Sequence, residues 1–402
     1  MNKKLLAVAI AAALAPVAAM ADGNVTVYGQ MNVSVDSVDT GRTAGGVRTT
    51  QINDNTSRLG FKGTESLGNG LTTVWQIEGS VAGDGAASTV SGQTAATGGA
   101  STAGTIGTRN TFVGLTGGFG TAILGRHDTP YKLSTRGLDV FADGIADNRS
   151  LMGQSGNGAT TFDGRQSNVI AYISPTVSGV TGAIGYVAGA ENATLPAQTK
   201  GDAWSAMVNY GNGPVYASLA YEKHNVGTAC TGTLGDPTAA CPAAGFVLDG
   251  ANESAWKLGL GYTMDALKIG FAYEKTSDNF GTKLGAPDSN IFGHHSYYLS
   301  GAYTMGANVL KLAYTKTGDL NGVASLGHSA TGAKQWTLGV DHNMSKRTAV
   351  YALYSKLSND TNGIYGLTGG SNGGVAASSP IFGGVGVNQA PSVFSLGMRH
   401  SF

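Results

Sequence analysis

Residues 25–35, with the sequence VTVYGQMNVSV, decide the fold, because apolar and polar side chains alternate along most of their length. The apolar members that share one face are Val25, Val27, Met31, Val33 and Val35. A period of two residues is that of a β-strand with one apolar and one polar face. The same alternation returns along the chain, for example at 202–211, 253–263, 266–276 and 391–402. The sequence therefore predicts an all-β protein.

The composition excludes several large classes of protein. The chain has 402 residues with 63 Gly and only 12% charged side chains, whereas soluble domains carry about 25% charge and about 7% Gly. The 25 basic and 25 acidic residues cancel, so no net charge attracts nucleic acid. So much glycine disfavours a helical bundle, and 16 Tyr with 12 Phe disfavour disorder. A glycine-rich β protein whose exterior meets something other than water remains.

The N-terminus has the features of a cleavable secretory signal. Residues 2–4 (Asn-Lys-Lys) are basic, residues 5–17 are apolar, and residues 19–21 (Ala-Met-Ala) form an A-x-A cleavage site. A membrane-anchoring helix is the alternative, but the apolar run is short for a span. We therefore predict a signal peptide at 1–21 and one domain at 22–402, exported through the periplasm. No later segment has the roughly 18 apolar residues of a spanning helix, so any membrane crossing uses strands.

The strands and their connections predict a transmembrane barrel. About sixteen strands are expected near 24–37, 57–67, 70–80, 109–117, 119–127, 165–174, 180–190, 202–211, 214–224, 253–263, 266–276, 294–305, 307–317, 334–343, 346–357 and 391–402. Short Gly- and Asn-rich turns such as 68–70 alternate with long loops such as 38–56, 128–164 and 225–252. Short periplasmic turns and long extracellular loops are typical of bacterial outer-membrane barrels. About sixteen strands also suit a water-filled lumen.

A secreted β-sandwich or a β-solenoid adhesin is the alternative fold. Aromatic residues bracket the apolar rows, as girdles do at two membrane interfaces, whereas a sandwich would bury those rows in an aliphatic core. The segments share no fixed repeat period, which a solenoid would show. The preferred fold class is therefore an all-β, transmembrane antiparallel β-barrel, and an adhesin acting through its long loops stays open as a function.

Several segments resemble the trimeric general porins of Gram-negative bacteria. They are 57–78 (SRLGFKGTESLGNGLTTVWQIE), 112–126 (FVGLTGGFGTAILGR), 127–132 (HDTPYK), 138–143 (LDVFAD) and 398–402 (MRHSF). The resemblance covers the whole mature chain. It implies a sixteen-stranded barrel without cofactor, a homotrimer in outer-membrane lipid, and a third loop folded inward to narrow the pore. It also implies that the C-terminal aromatic residue, Phe402, is read by the outer-membrane assembly machinery.

The charged residues predict how such a pore would select ions. Residues 127–164 lack strand alternation, so we name them the constriction loop; its candidate acids are Asp128, Asp139, Asp143 and Asp147. The candidate basic wall consists of Arg58, Lys62, Arg126, Arg165 and Arg399. Parity places Arg58 and Lys62 inward if Leu59 and Phe61 face outward, and Arg126 inward if Ile123 faces outward. Opposed basic and acidic faces would orient dipolar solutes.

The strength of that selectivity is expected to be low. Family members often carry an Arg and an Asp in the strand after the constriction loop, where this chain has Ala171 and Ile173. This departure weakens the wall cluster. The sequence therefore predicts a passive general diffusion channel for small hydrophilic solutes and ions with weak selectivity. A substrate-selective channel for an anion or small organic acid is the alternative.

The remaining motifs predict a disulfide and no enzyme. Cys230 and Cys241 lie in one long loop, and a pair of cysteines in an oxidising compartment is expected to form a disulfide. The sequence has no G-x-S-x-G motif in the context of a triad and no Cys/His spacing typical of a metal site. His294 and His295 would point to opposite faces of one strand. We therefore expect neither catalysis, nor a metal or cofactor, nor nucleic-acid binding.

Overall fold

A computed structural model describes most of the chain after its N-terminus. The described ranges are 24–41, 48–83, 106–154, 162–189, 201–225, 250–284, 287–322, 329–367 and 388–402. The predicted signal peptide and the two cysteines lie outside these ranges. The signal peptide and the disulfide therefore remain predictions.

The described residues form seventeen strands and a few short helices. The strands are β1 Asn24–Asp39, β2 Arg48–Asp54, β3 Arg58–Gly68, β4 Leu71–Ser80, β5 Thr111–Gly117, β6 Gly120–Asp128, β7 Arg165–Ile173, β8 Val180–Val187, β9 Asp202–Asn212, β10 Val215–Asn225, β11 Asn252–Met264, β12 Leu267–Asp278, β13 His295–Met305, β14 Asn308–Thr317, β15 Ala333–Asn343, β16 Thr348–Asn359 and β17 Ser392–Ser401. The helices are α1 Pro130–Arg136, a 3₁₀ turn Asn148–Ser150, and α2 Phe280–Leu284. Among the described residues, no helix is both long and apolar enough to cross a membrane.

The strands form one closed antiparallel barrel. Each strand from β3 onward pairs with its successor, and β17 returns to pair with β1, with Val33 opposite Met398. Both β2 and β3 pair with β1: Val35 lies opposite Ile52, and Val27 lies opposite Phe61. Strands β2 and β3 are therefore two halves of one barrel strand. This arrangement confirms the predicted sixteen-stranded barrel.

The predicted loop at 38–56 is wrong in its second half, where β2 forms. Residues 48–54 (RTTQIND) carry few apolar side chains, so the alternation that marked the other strands is weak there. The backbone breaks between β2 and β3 at Thr56, whose φ is 59°. A β-branched residue with positive φ is an outlier that its surroundings must hold in place. Here Thr56 donates a hydrogen bond from its Oγ1 to the carbonyl oxygen of Asp143.

The outward face of the barrel is apolar and the inward face is small or polar. Leu312 and Leu338 are more than half exposed, which is the arrangement expected of a surface that meets lipid. Outward aromatic residues occur at two levels. Tyr262 and Tyr303 lie near the short turns, while Trp256, Tyr297, Tyr314 and Trp336 lie near the long loops. These two levels correspond to the aromatic girdles of outer-membrane barrels.

The largest apolar cluster lies inside the barrel, beneath the constriction loop. Phe141, Ile145 and Leu151 of the loop pack with wall residues such as Tyr298 and Leu357. A smaller cluster joins Tyr131 and Phe162, from the two ends of the loop, to alanines on β10 and β11. Burial of this apolar surface holds the loop against the inner wall. The predicted inward fold of the third long connection is thereby confirmed.

Glycines on the inner wall make room for the loop. A Cβ built on Gly339 would lie 2.7 Å from the ring of Phe141, and one on Gly270 would lie 2.9 Å from the carbonyl oxygen of Leu138. Both distances are shorter than packed atoms allow, so a side chain at either position would push the loop off the wall. Part of the unusual glycine content therefore permits close approach of the loop backbone.

Candidate constriction site

The loop begins at a helix whose first turn is fixed by two ion pairs. Thr129 caps α1, and its hydroxyl accepts a hydrogen bond from the amide of Lys132. The carboxylate of Asp128 pairs with Lys132 at 2.8 Å and with Arg165, at the start of β7, at 3.1 Å. Burial outweighs the attraction of Asp128 and lowers the pKa of Lys132 to about 8. Asp128 and Arg165 are therefore brought together, and each neutralises the other.

Arg136, at the end of α1, is the centre of the loop's charge network. Its guanidinium lies 2.6 Å from Asp143, 2.7 Å from Asp147 and 3.8 Å from Asp139. Asp147 also pairs with Arg149 at 3.0 Å and is fully buried. Burial alone would raise the pKa of Asp147, but Arg149 and Arg136 hold it below its usual value. Three of the four predicted loop acids thus surround one arginine.

Asp139 has a different environment from its neighbours. Its carboxylate accepts hydrogen bonds from the amides of Phe141 and Asn148 at 2.9 and 3.0 Å. The hydroxyl of Tyr298 on β13 donates a third at 2.8 Å. Burial, reinforced by the negative charge of Asp147, raises the pKa of Asp139 to about 6. Asp139 therefore fastens the loop to the wall and does not face the lumen.

Asp143 links the loop to the part of the wall formed by β3. Its carboxylate pairs with Arg58 on β3 at 3.2 Å as well as with Arg136. The residue has a φ of 65°, which asparagine and aspartate tolerate better than most residues. The side chain of Lys62, on the same face of β3 as Arg58, points inward, and its ammonium lies 5.2 Å from the centre of the Tyr28 ring. Arg58 and Lys62 therefore have the inward placement that parity predicts.

Arg126 lies apart from this cluster, and the premise used to place it is wrong. Ile123 is only 3% exposed and packs with Val169, whereas Leu124 is 56% exposed. The register then shifts between Gly125 and His127. The guanidinium of Arg126 bonds to the carbonyl oxygen of Thr108 at 3.0 Å and to the hydroxyl of Ser167 at 2.7 Å. The extra residue of this bulge belongs to β7, where Ser167 and Asn168 together face Arg126, so β6 keeps its alternation. Arg126 lies opposite Thr111 and on the same face as the outward Leu124, so its predicted inward placement is wrong.

Arg399 and a lysine missed by sequence reasoning share one carboxylate. Asp341 on β15 pairs with Lys311 at 2.7 Å and with Arg399 at 3.4 Å. Lys311 also lies 4.9 Å from the centre of the Phe141 ring at the loop tip. Two cations and one anion leave a positive excess here. The alternation of β14 assigns Lys311 to the inner face, which is a signal that could have identified it.

A small cavity lies between the loop tip and this part of the wall. It has a volume of ≈ 30 Å³ and is lined by Asn55, Lys311, Ser395 and Arg399, among others. The Oδ1 atom of Asn55 and the hydroxyl of Ser395 are buried without a hydrogen-bond partner among the described residues. Buried polar atoms of this kind are usually satisfied by water or by a solute. The cavity can hold a water or the polar end of a small solute.

A second buried ion cluster holds the end of the loop. Lys257 on β11 is 1% exposed, and its ammonium lies 2.6 Å from Asp163 and 3.3 Å from Glu274 on β12. Tyr131 donates a hydrogen bond to Glu274 at 2.8 Å, and so does the amide of Gly153. The strand alternation already assigns Lys257 and Glu274 to the inner face. Their partners in the loop are not evident from sequence.

The C-terminal residue closes the barrel seam. The backbone amide and carbonyl of Phe402 each bond to Gly29 on β1 at 3.1 Å. The ring lies over Gly29, where an added Cβ would approach it to 2.4 Å, and it remains 46% exposed on the outside. Phe402 therefore has an accessible outward ring at the end of the last strand.

Two of the constriction acids, Asp139 and Asp147, are more buried than the bases, whereas Asp143 is not. The side chains of Arg58, Arg136 and Arg399 are 23%, 20% and 37% exposed. Asp139 and Asp147 are nearly or fully buried, and Asp143 is the most exposed loop acid, at 29%. Three partly exposed arginines therefore stand against one partly exposed loop carboxylate, that of Asp143, although acids outnumber bases in the loop sequence.

The raised pKa of Asp139 predicts a pH-dependent selectivity. Acidification from pH 7.5 to 5 protonates Asp139, whose pKa is about 6, and removes one negative charge from the loop. We expect the anion-to-cation permeability ratio to rise roughly five-fold, because one charge about 8 Å away in water changes the energy of a monovalent ion by about 0.5 kcal/mol, with opposite sign for anions and cations. Reversal potentials in planar bilayers measure this ratio at each pH.

The variant Asp139→Asn provides the control for this titration. Its ratio at pH 7.5 should equal that of the wild type at pH 5, and it should vary little between these pH values. A wild-type ratio that is constant from pH 7.5 to 5, or an equal shift in the variant, contradicts the assignment to Asp139.

The same raised pKa makes the stability of the fold depend on pH. Because the pKa of Asp139 is higher in the folded protein, its protonated carboxyl stabilises the fold at pH values below the ordinary pKa, and this contribution is lost as the pH rises through about 6.

Comparisons with known proteins agree with this geometry. A family model described as Gram-negative porin matches residues 7–362. Outer membrane porin protein 32 of Delftia acidovorans is 30% identical over 414 residues, covering all of both chains. Major outer membrane protein P.IB of Neisseria lactamica is 28% identical and covers 87% of this chain and 91% of its own.

Solved structures show the same fold. An anion-selective porin from Comamonas acidovorans has a TM-score of 0.71 at 25% identity, covering 95% of this chain and all of its own. The trimer form of OmpT, an outer membrane protein of Vibrio cholerae, has a TM-score of 0.62 at 17% identity, covering 94% and 99%. At that identity the second similarity shows the fold alone.

Proposed function

This chain belongs to the Gram-negative porin family. On that premise we propose that it is a general diffusion channel, which passes small hydrophilic solutes and ions down their gradients. Porins of this family are channels of the outer membrane, not enzymes, and the barrel described above is a channel fold of this kind. The observation that carries the proposal is the bridge from Arg58 through Asp143 to Arg136. It supports a loop fixed inside the lumen, where it narrows the pore without closing it.

The selectivity proposed is weak and favours anions. The accessible charge around the loop comes mainly from Arg58, Arg136 and Arg399, while every loop acid except Asp143 is largely buried in ion pairs. Accessible positive charge lowers the barrier for anions. The neutralised clusters contribute little field, so the preference stays below about ten-fold. The solved relative named anion-selective has the same direction of preference.

The assembly proposed is a homotrimer in outer-membrane lipid, formed after removal of residues 1–21. The OmpT structure named as a trimer form supports this state. The exposed ring of Phe402 at the end of the last strand supports a role as the signal read by the assembly machinery. We also propose that Cys230 and Cys241 form a disulfide in the mature chain.

The double variant Arg58→Gln/Arg399→Gln tests the proposed selectivity. Removal of two accessible positive charges should abolish the anion preference or convert it into a cation preference, measured as the reversal potential in a salt gradient. Arg48→Gln is the control, because Arg48 at the start of β2 pairs with Asp39 at the end of β1 and both side chains are exposed. An unchanged reversal potential in the double variant would refute the role of these two arginines.

A substrate-selective channel for a small organic acid is the second candidate. The cavity beside Arg399 and Lys311, with the unpartnered Oδ1 of Asn55, favours it, because a hydroxylated carboxylate could use all three groups. Glycolate added at low millimolar concentration should block single-channel current if this site is saturable. Linear current without block supports general diffusion. Absence of current in any salt leaves the adhesin alternative.

A further inference from the structure

The barrel wall has one residue too many at the break between β2 and β3. Between the part of β1 that pairs with β2 and the part that pairs with β3 lie two residues, 31–32, whereas three residues, 55–57, lie between β2 and β3. One extra residue on one of two antiparallel strands is a β-bulge, which can redirect a side chain out of the regular pleat. The extra residue is Thr56, whose φ is 59°.

Buried hydrogen bonds to Asn32 of β1 hold this bulge in place. The backbone amide of Asn32 donates to the hydroxyl of Ser57 at 2.9 Å, and its carbonyl oxygen accepts from the amide of Asn55 at 2.7 Å. The side-chain amide of Asn32 donates to the carbonyl oxygen of Asn55 at 3.2 Å. All three residues are buried. Because both neighbours of Thr56 are fixed to one residue of β1, Thr56 itself must project from the wall, and its left-handed backbone is imposed by these contacts.

Thr56 projects onto the tip of the constriction loop at Asp143. Its Oγ1 donates to the carbonyl oxygen of Asp143 at 3.4 Å. The Nη1 atom of Arg58 donates to the carbonyl oxygen of Thr56 at 3.4 Å and to the carboxylate of Asp143 at 3.2 Å. These hydrogen bonds close a ring through the three residues, which we call the tip latch. Asp143 has a φ of 65°, so a left-handed residue of the wall meets a left-handed residue of the loop.

The hydroxyl of Thr56 has a role that the ion pairs of Asp143 do not supply. Arg58 and Arg136 hold the carboxylate of Asp143, which is joined to the backbone through rotatable bonds. Thr56 holds the carbonyl oxygen, which belongs to the backbone itself. The ion pairs can therefore persist while the backbone of the tip moves, whereas the hydrogen bond from Thr56 cannot. Strained backbone conformations persist only where the surroundings determine them, and they are concentrated at functional sites.

We propose that Thr56 is a positioning residue, which fixes the backbone of the loop tip against the wall and thereby sets the width of the constriction. A pore whose loop tip is held less firmly conducts more and admits larger neutral solutes, because pore diameter limits both. The effect on the pore rests on the proposed channel function, whereas the tip latch itself is tested on the folded protein without any current.

The first test compares Thr56→Ser with Thr56→Ala, two variants that differ by one oxygen atom and that both lack the β-branch. Hydrogen–deuterium exchange of the protein in detergent micelles is followed by mass spectrometry for peptides that cover 138–147. Thr56→Ser should match the wild type, and Thr56→Ala should exchange about five-fold faster in these peptides, the effect of one neutral hydrogen bond. Peptides that cover α1, at 130–136, should exchange equally in all three proteins. Equal exchange at 138–147 in the two variants overturns the proposal.

The second test deletes Thr56, which leaves two residues opposite residues 31–32 and restores regular pairing with β1. The control deletes Asn168, a left-handed residue of the bulge in β7, where two residues lie opposite Arg126. Single-channel conductance, and the uptake of a neutral trisaccharide relative to a monosaccharide by liposomes, measure the width of the pore. Both should rise in the Thr56 deletion and should keep their wild-type values in the Asn168 deletion.

The outcomes of the two tests separate the tip latch from the channel function. Wild-type conductance and uptake in a folded Thr56 deletion overturn the proposal, and so does an equal increase in the control. If the deletion variant does not fold, Thr56→Ala takes its place, and its conductance and uptake should exceed those of Thr56→Ser. Absence of current in the wild type, together with faster exchange in Thr56→Ala, supports the tip latch but contradicts the channel function.

Discussion

The variant Arg136→Met is expected to release the constriction loop and enlarge the pore. Arg136 neutralises Asp139, Asp143 and Asp147 within 3.8 Å, and methionine fills a similar space without charge. Removal of one partner from a buried ion pair costs about 3–5 kcal/mol, because the remaining charges are left uncompensated. We expect a larger and noisier single-channel conductance, together with weaker anion preference.

Two further variants make this result specific. Arg136→Lys keeps the charge but loses the planar guanidinium that contacts several carboxylates at once. Its conductance should therefore lie between those of the wild type and Arg136→Met. Arg48→Met removes an exposed ion pair of 3.0 Å, which is worth at most about 1 kcal/mol, and should conduct as the wild type does. Wild-type conductance in Arg136→Met would contradict the role given to the network.

The variant Lys257→Met is expected to show a large loss of thermal stability. Lys257 is the cation shared by Asp163 and Glu274, and all three are buried against the wall. Its ammonium also lies 4.2 Å from the centre of the Tyr131 ring. We expect a loss of about 3–5 kcal/mol, measured as thermal unfolding in detergent by circular dichroism.

A compensated variant separates loss of charge balance from loss of packing. In Lys257→Met/Asp163→Asn/Glu274→Gln the buried charges are removed together, and replacing a whole buried ion cluster is often nearly neutral. This variant should recover most of the stability, whereas Lys346→Met, in an exposed turn, should change little. If the single variant melts with the wild type, the cluster does not anchor the loop.

The barrel itself could be predicted from sequence because its cause is local. Because each strand has lipid on one side and the lumen on the other, its side chains alternate with a period of two residues. The apolar row of β11 or β17 can therefore be recognised from the sequence of that strand alone. The break between β2 and β3 was not visible, because polar residues 48–54 lack that period. The wrong placement of Ile123 has a different cause, since an apolar residue that packs inside with Val169 and Ala171 cannot be distinguished by its type from one that faces lipid.

The candidate site could be predicted in composition but not in pairing. Parity identified Arg58 as inward, and the absence of alternation identified the constriction loop. The fold of that loop is set by contacts between distant segments, such as Asp139 with Tyr298 and Asp163 with Lys257. Sequence therefore indicated an acidic loop, whereas burial of its carboxylates other than that of Asp143 leaves mainly arginine charge accessible. The sign of the local charge depends on which partner is exposed, which no count of residues gives.

The reversal potential of the wild-type protein in a salt gradient tests the central claim most directly. Purified protein inserted into planar bilayers should give linear current in steps of three. In a tenfold gradient of potassium chloride at pH 7.5, the reversal potential should have the sign of an anion preference, with a permeability ratio below about ten. A cation preference, or a ratio above about ten in either direction, would contradict a weakly selective pore lined by accessible arginines.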